Sequence, residues 1–414
     1  MFKRQTKTPR TNRNAGWSVA TLLAAWLAVA FTGNPASAWA DAKLEGTNPA
    51  QWRLIWKENP AQEATLGWST KEEGEKHWVT LQQEGHDEVV EIPAARNGRY
   101  ADRHNEGLSV HYHLARLEDL QPATKYHVQM HSDGESSPKF HFVTAPDEDV
   151  PVQLIYGGDS RTDLKMRRVV NERMRRIFEE SPHVIAFAHG GDYIVDGYKL
   201  SQWLEWMSAH ELTTTEAGRL LPILPARGNH DRGEAINQVF DFPDEDRDNW
   251  YATDLGPQVR WITLNTETSA GGRQAEFLET ELKKARPDYR WLLVQYHRPA
   301  WPAVKGPSSA LGAWVPLFEQ YNVDLVCESD GHVIKRTVPI RNGKVDETGV
   351  VYVGEGGLGV PQRSPKSDRW FLRPPGFTSV GHHVQVISFD RDRLRCQTVD
   401  VDGKIVDDYA REPR

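Results

Sequence analysis

The chain has 414 residues, enough for two or three domains, and its 38% hydrophobic and 26% charged residues are typical of a globular protein. The formal net charge of −8 argues against a long polyanion such as a nucleic acid as partner, because that binding needs basic patches. A small anionic substrate held by a metal ion remains compatible with this charge.

The first 40 residues differ from the rest of the chain. Residues 1–13 carry five basic residues and no acid, the apolar run GWSVATLLAAWLAVAF follows, and ASAWA places small residues before cleavage positions at 38 and 40. This order predicts a signal peptide at 1–40 and an exported protein, whether periplasmic, secreted or at the cell surface. An uncleaved anchor is the alternative, since the apolar run approaches the ~18 residues that span a membrane. No later segment is predicted to span one.

Residues 46–146 are predicted to form an all-β domain. Asn-Pro, Asn-Gly and Asp-Gly pairs mark turns between short segments with apolar alternation. The predicted strands are WRLIW, ATLGWST, HWVTLQQ, SVHYHLARL, KYHVQMHS and KFHFVTA. This pattern favours a β-sandwich. The approach Leu-x-Pro-x-Thr-x-Tyr, which ends at Tyr126, resembles a late strand of a fibronectin type III domain.

Two residue pairs within predicted strands have more than one interpretation. His111 and His113 share one strand face and form a possible metal pair, but no third ligand is visible and a structural role is favoured. Cys327 and Cys396 each lie in an apolar strand-like run. Export permits a disulfide between them, and two buried thiols are the favoured alternative.

Residues 150–405 are predicted to form an α/β domain. The acidic, proline-flanked segment APDEDVP at 145–151 marks the junction that precedes it. Buried strands then alternate with amphipathic helices such as KMRRVVNERMRRIFEE, whose apolar residues recur with helical spacing. Strands followed by helices indicate a layered domain in which helices cover a sheet.

Five of the predicted strands end in oxygen or imidazole donors. In α/β sheets, ligands bind in the crevice outside the carboxyl ends of the strands. One such residue alone is usually a helix cap or a turn residue, but five in order point toward a shared site. Donors of this kind, without a thiolate, suit Zn, Mn, Fe or Mg. The strand ends carry Asp159, Asp192, Asn229 with His230 and Asp231, His297, and Asp330 with His332.

The series GGD, GGD, GNHD, a later His and a final Asp-x-His resembles the five ordered motifs of calcineurin-like metallophosphoesterases. The β-domain before it and YHRPAWP after the fourth strand resemble the purple acid phosphatase branch. The resemblance implies a multidomain protein. Its fibronectin type III-like sandwich would precede a metallophosphoesterase domain with α/β/β/α layers.

The resemblance also implies two metal ions, Fe, Zn or Mn, and a small phosphorylated substrate. A metal-bound hydroxide would attack a phosphate mono- or diester. His230 would contact the substrate and stabilise the transition state or protonate the leaving oxygen. We use "first site" for Asp159, Asp192 and His332, and "second site" for Asp192, Asn229, His297 and Asp330.

The last motif of this family usually reads Gly-His-Val-His-Ala-Tyr-Glu-Arg-Thr-x-Pro. Alignment on Arg-Thr-x-Pro puts His332 at the second histidine and Asp330 at the first, which leaves Ile334 as a packing residue. Residues two apart in an extended segment point to the same side, so we expect both Asp330 and His332 to face the metals.

Two departures from the family pattern leave the first site short of a donor. Val195 stands where the purple branch has a metal-binding tyrosine, and Arg161 stands where other members have the histidine of an Asp-x-His pair. Tyr193, His189 and the pair at 382–383 are weak candidates for the missing ligand. Arg161 is predicted either to bind the substrate phosphate or to form a surface ion pair.

Two other functions remain open at this point. The chain is alternatively a surface-binding module with a degenerate anion or metal site, or a metal-dependent hydrolase of another ester. Metal-dependent turnover of a chromogenic phosphate ester distinguishes the phosphoesterase from both.

Overall fold

The computed structural model describes residues 44–243 and 248–414. The predicted signal segment at 1–40 lies outside these ranges. Within them, no helix combines the length and apolar character that a membrane crossing requires.

The N-terminal part of the chain is all β, and each strand predicted there is present. Its strands make two facing layers, one built on β1, β2 and β6 and the other on β3 and β7. Three short strands were not predicted, because they are only two to four residues long and largely exposed. The strands are β1 (Ala50–Ile55), β2 (Ala64–Thr70), β3 (His77–Gln83), β4 (Val90–Pro93), β5 (Arg96–Arg99), β6 (His111–Leu117), β7 (Lys125–Ser132), β8 (Glu135–Ser136) and β9 (Phe140–Val143).

The remaining part alternates strands and helices before it ends in antiparallel strands. The strands are β10 (Val152–Gly157), β11 (Val184–His189), β12 (Ile223–Pro225), β13 (Tyr251–Asp254), β14 (Val259–Thr263), β15 (Trp291–Gln295), β16 (Leu325–Glu328), β17 (Ile334–Arg336), β18 (Ile340–Arg341), β19 (Lys344–Val345), β20 (Val351–Gly354), β21 (Phe377–Ser379), β22 (His383–Phe389), β23 (Leu394–Asp400) and β24 (Ile405–Arg411). The α-helices are α1 (Leu164–Glu180), α2 (Leu200–His210), α3 (Ala235–Val239), α4 (Arg273–Asp288), α5 (Ala310–Ala313) and α6 (Val315–Gln320).

Helix α1 shows how local sequence sets the element boundaries. The Asp163 side chain accepts a hydrogen bond from the backbone N–H of Met166 at 2.9 Å, which caps the helix start. The helix stops before Ser181, the residue that precedes a proline and is therefore disfavoured in helical conformation.

Two large sheets pack face to face, and helices cover their outer surfaces. Tyr156 and Leu293 belong to the core between the sheets. Helices α1 and α2 pack on the outer face of the β10–β12 sheet, and α4 and α6 pack on that of the β14–β16 sheet. The predicted α/β/β/α layering behind an all-β domain is confirmed.

The first of these sheets continues into the N-terminal β layer. Strand β12 pairs in parallel with β1, with Ile223 opposite Ile55, so the strand order runs β24-β23-β22-β10-β11-β12-β1-β2-β6-β5. The second sheet has the order β13-β14-β15-β16-β20-β17-β21. The hydrogen-bonded sheet therefore bridges the two parts of the chain on either side of the 145–151 segment.

Both residue pairs with open interpretations are buried. Cys327 and Cys396 are buried free thiols, as favoured from the sequence. The two ring nitrogens of His113 lie 2.8 Å from Asn97 Oδ1 and 2.8 Å from Thr70 Oγ1, so neither is free for a metal. Its ring stacks on His77 with a centroid distance of 3.7 Å.

Candidate metal centre

The carboxyl ends of the parallel strands in both sheets meet at one edge of the molecule. Strands β10, β11 and β12 run parallel in one sheet, and β15 and β16 run parallel in the other. One ligand atom from each of four buried residues lies within 4.8 Å of the other three, and the four are Asp159, Asp192, His297 and Asp330. The strand-end pattern thus predicted side chains that come together in space.

The two remaining predicted ligands lie against this cluster. Asn229 Oδ1 is 3.2 Å from His297 Nε2, and His332 Nε2 is 3.1 Å from Asp159 Oδ1. The structure therefore places all six predicted ligands together, although their roles toward a metal stay a prediction.

Four of the six residues adopt backbone conformations that non-glycine residues rarely take. The φ angles are 58° at Asp159, 60° at Asp192, 71° at Asp330 and 63° at His332. Such strained residues concentrate at functional sites, where the surrounding structure enforces them.

The same angles correct one premise of the register argument. The segment from Asp330 to His332 is not extended, and strand β17 begins only at Ile334. Left-handed turns, rather than the alternation of a strand, direct both side chains inward. Ile334 is 2% exposed and packs in the interior, in keeping with its assignment as a packing residue.

Backbone carbonyls fix the tautomers of the two clustered histidines. His297 Nδ1 lies 2.9 Å from the Gly190 carbonyl oxygen, and His332 Nδ1 lies 3.1 Å from that of Pro361. A carbonyl only accepts, so each Nδ1 carries a proton and each Nε2 turns toward the carboxylates. A metal-binding histidine is typically held in this way.

The cluster has an excess of buried negative charge. Burial alone would raise the pKa of Asp192, but the His297 imidazole and its hydrogen bond hold that pKa well below its usual range. Burial alone would lower the pKa of His297, but the surrounding carboxylates, Asp192 foremost, raise it well above its usual value. Both shifts indicate that this volume favours a cation.

The donor set fits a bound metal ion. Asp159 Oδ1 is buried and receives no hydrogen bond from any described residue, which is costly unless a cation satisfies it. Oxygen and imidazole donors without sulfur suit Zn, Mn or Fe.

Asp231 holds together the loops that carry two of the ligands. Its carboxylate accepts hydrogen bonds from the backbone N–H groups of Asp192, Tyr193 and Gly228 at 2.8, 2.9 and 2.7 Å. A Cβ on Gly228 would overlap Asp192, so the close approach requires glycine. The last position of the GNHD motif therefore joins the ends of β11 and β12.

His230 lies at the open side of the cluster. Its Nε2 is 3.9 Å from Asp192 Oδ2, and its side chain is 31% exposed. No carboxylate of a described residue orients its ring. The Val195 carbonyl oxygen lies 2.5 Å from His230 Nδ1, whereas Asp196 pairs with His104 at 2.9 Å.

Two basic side chains also reach the carboxylates. Arg161 Nε donates to Asp192 Oδ2 at 3.2 Å, so its ion pair lies within the cluster and not on the surface. Lys305 forms an ion pair with Asp330. Sequence reasoning missed Lys305, because it comes from a long loop after β15 and belongs to no motif.

The weak candidates for a first-site ligand are engaged elsewhere. The Tyr193 ring stacks on His189 at 3.9 Å and packs edge-on against Trp206, inside the aromatic core. His189 uses Nδ1 to accept from Gly191 N–H and Nε2 to contact Ser160 Oγ. The two histidines at 382 and 383 each direct Nδ1 to a backbone carbonyl.

A buried charged network behind the site was also missed. Lys335 forms ion pairs with Glu328 and Glu355, and all three side chains are fully buried. The Glu355 carbonyl accepts from His332 N–H at 2.6 Å, while its carboxylate accepts from Ala303 N–H at 2.9 Å. The network therefore connects the His332 backbone to the loop that carries Lys305.

A polar cavity of about 340 Å³ adjoins Asn229. Arg232, Tyr198 and Glu267 are among the residues that line it. The cavity provides space for a small polar molecule next to the metal ligands.

Comparisons with known proteins match both parts of the chain. The family model for the purple acid phosphatase N-terminal domain matches residues 49–144, and the model for calcineurin-like phosphoesterases matches residues 162–334.

Individual relatives are distant. The chain is 25% identical over 348 residues to an uncharacterised protein of Mycobacterium tuberculosis. This match covers 71% of this chain and 63% of that protein. It is 24% identical over 314 residues to purple acid phosphatase 21 of Arabidopsis thaliana. This match covers 67% of this chain and 66% of that protein. The chain thus spans less than two thirds of the length of these curated relatives.

The fold is similar to that of purple acid phosphatase PPD1 from yellow lupin (Lupinus luteus) seeds. The TM-score is 0.76 at 20% sequence identity, and the match covers 88% of this chain and 74% of the other.

Proposed function

We propose that this chain, which belongs to the calcineurin-like phosphoesterases and carries a purple acid phosphatase N-terminal domain, is an exported, metal-dependent hydrolase of small phosphate esters. The observation that carries the proposal is the buried cluster of Asp159, Asp192, His297 and Asp330 at the strand ends. The basic and apolar sequence at 1–40 supports export.

The clustered side chains have the chemistry to hold a metal ion at the phosphoryl group. Asp192 contacts two members of the site, with Oδ1 3.3 Å from His297 Nε2 and Oδ2 3.2 Å from Arg161 Nε. Asn229 would add a neutral oxygen beside His297. When bound, the metal supplies Lewis acidity at the phosphoryl oxygens and lowers the pKa of a water molecule.

His230 is the proposed general acid. The Val195 carbonyl keeps the proton on Nδ1, which leaves Nε2 as the ring nitrogen nearer the cluster. When that nitrogen is protonated, it can pass the proton to the leaving oxygen of an ester. The exposed third of the side chain borders solvent, where a leaving group can depart.

Arg161 is the proposed substrate-binding cation. Its side chain is 13% exposed and pairs with Asp192, so its guanidinium borders the cluster. A planar guanidinium matches the geometry of two phosphoryl oxygens. The polar cavity beside Asn229 supports a small ester with a polar leaving group.

Hydrolysis of p-nitrophenyl phosphate and bis(p-nitrophenyl) phosphate by the purified full chain tests this proposal. We expect turnover to disappear after chelation and to return with Mn²⁺, Zn²⁺ or Fe²⁺. His297→Ala should abolish turnover, while His127→Ala on the half-buried face of β7 should leave it unchanged.

The rival functions give different results in the same assay. Hydrolysis of p-nitrophenyl acetate without hydrolysis of either phosphate would indicate a hydrolase of another ester. Metal binding without turnover of any ester would indicate a binding module.

A further inference from the structure

The first site has one protein donor fewer than the family pattern provides. Asp159, Asp192 and His332 reach this volume, but Val195 directs its side chain outward and is 40% exposed. Tyr193 is turned into the aromatic core. Within the described chain, the family's second metal therefore does not fit a complete set of protein ligands.

The Arg161 guanidinium lies where those ligands converge. Its Nε donates to Asp192 Oδ2 at 3.2 Å, and its Nη2 lies 3.4 Å from His332 Nε2. The proton on His332 Nδ1 goes to the Pro361 carbonyl, so Nε2 is an acceptor for the arginine. One cationic side chain thus contacts both the shared carboxylate and the histidine of the first site.

Charge balance also favours one metal ion. The carboxylates of Asp159, Asp192 and Asp330 bring three negative charges into a buried volume. Arg161 and Lys305 each form an ion pair with one of them and offset two of these charges. One divalent ion would leave a single net positive charge, which suits an anionic phosphoryl group. A second divalent ion would raise the net charge to three positive charges, and this ion would lie beside the Arg161 guanidinium.

The four acidic and imidazole donors can serve a single ion. Asp159, Asp192, His297 and Asp330 each offer one atom within 4.8 Å of the others, so Asp159 is not restricted to a separate ion. Its Oδ2 accepts from Asp330 N–H at 2.8 Å, which ties the two residues together. The unsatisfied Asp159 Oδ1 is then available to the same ion.

We propose that the chain uses one metal ion, held by Asp159, Asp192, His297 and Asp330 with the neutral oxygen of Asn229, and that Arg161 takes the place of the second ion. This inference rests on the proposed function. The guanidinium would bind a phosphoryl oxygen and stabilise its negative charge, a task that a second ion performs in two-metal sites. The phosphate-binding role predicted for Arg161 and the shortage of first-site donors then have one explanation.

Metal content and electron paramagnetic resonance of the Mn²⁺-loaded full chain test the inference. We expect one Mn²⁺ per chain, with the spectrum of an isolated ion. Arg161→His creates the Asp-x-His pattern and removes the guanidinium, so it should bind two ions with a coupled spectrum. Arg161→Lys keeps the charge and should bind one. Arg395→His, at an exposed ion pair on β23, controls for an added histidine.

The outcomes separate this inference from the proposed function. Two coupled ions per wild-type chain would overturn the inference, and phosphate ester turnover by that form would leave the proposed function standing. One ion per chain without turnover of any phosphate ester would overturn the function and not the stoichiometry. A wild-type chain that binds no Mn²⁺, Zn²⁺ or Fe²⁺ would overturn both. The wild-type measurement decides even if Arg161→His fails to fold.

Discussion

His230 Nδ1 lies 2.5 Å from the carbonyl oxygen of Val195, the residue that stands in the place of the family's metal-binding tyrosine. The Val195 backbone carbonyl thus orients His230, the proposed general acid. The Val195 side chain faces solvent and offers no ligand.

We expect His230→Ala to lower turnover by roughly 10²–10⁴-fold, the usual contribution of a general acid, with metal content near that of the wild type. Val195→Ala keeps the carbonyl and should retain activity. Metal content and p-nitrophenyl phosphate kinetics measure both effects. A loss of metal in His230→Ala as large as that in Asn229→Ala would contradict the distinction between acid and ligand.

The iron-loaded protein should lack the visible absorption band of a tyrosine bound to ferric iron. Val195 has no phenol, and the Tyr193 hydroxyl is buried in the aromatic core. Absorption spectra of the iron-loaded wild type and Tyr193→Phe test this expectation. A band in the wild type that disappears in the variant would show that Tyr193 reaches the metal.

The last motif gives a test of the shifted alignment. Asp330→Ala should lower metal occupancy. Asp330→His should retain more metal than Asp330→Ala and shift the metal preference toward Zn, because imidazole is a softer donor than carboxylate. Ile334→Ala should lower the free energy of unfolding by about 2–5 kcal/mol through a core cavity, without loss of metal. Metal analysis and urea denaturation measure these effects. Full occupancy in Asp330→Ala would refute the alignment.

Acid should destabilise the fold through buried neutral histidines. Burial, and then the neighbouring His77, lower the pKa of His113 from 6.5 to about 2. Below pH 6.5 the unfolded chain gains a proton that the folded chain lacks, so stability is present above this pH and falls as pH drops toward about 2. Between these two pKa values, His113 changes the free energy of unfolding by up to about 1.4 kcal/mol per pH unit.

Urea denaturation at several pH values measures this slope. His113→Gln should be less stable than the wild type at neutral pH, since it disturbs two buried hydrogen bonds, but its stability should fall less steeply in acid. His86→Gln in an exposed turn should keep the wild-type slope. Equal slopes in the wild type and His113→Gln would contradict the assignment.

Local patterns made much of the fold predictable. The strand before Asp159 and the helix after it follow from continuous apolar runs and helical spacing, which short stretches of sequence contain. The pairing of Ile55 with Ile223 was not predictable, because a parallel contact between distant strands leaves no local pattern.

The site was predictable to the extent that strand ends carry it. Asp192 and His297 follow apolar strands directly, so topology alone brings them together. The ion pair of Lys305 with Asp330 depends on the path of a loop. The inward turn of His332 depends on a left-handed backbone, whereas the sequence pattern predicted an extended segment.

Titration of metal ion into the chelated full chain, with p-nitrophenyl phosphate turnover followed at each addition, tests whether hydrolysis depends on a metal ion in the cluster. We expect no turnover without metal, a rise in turnover that saturates as the cluster around Asp192 and His297 fills, and no rise in His297→Ala. Turnover that is independent of added metal, or absent from the metal-loaded wild type, would contradict it.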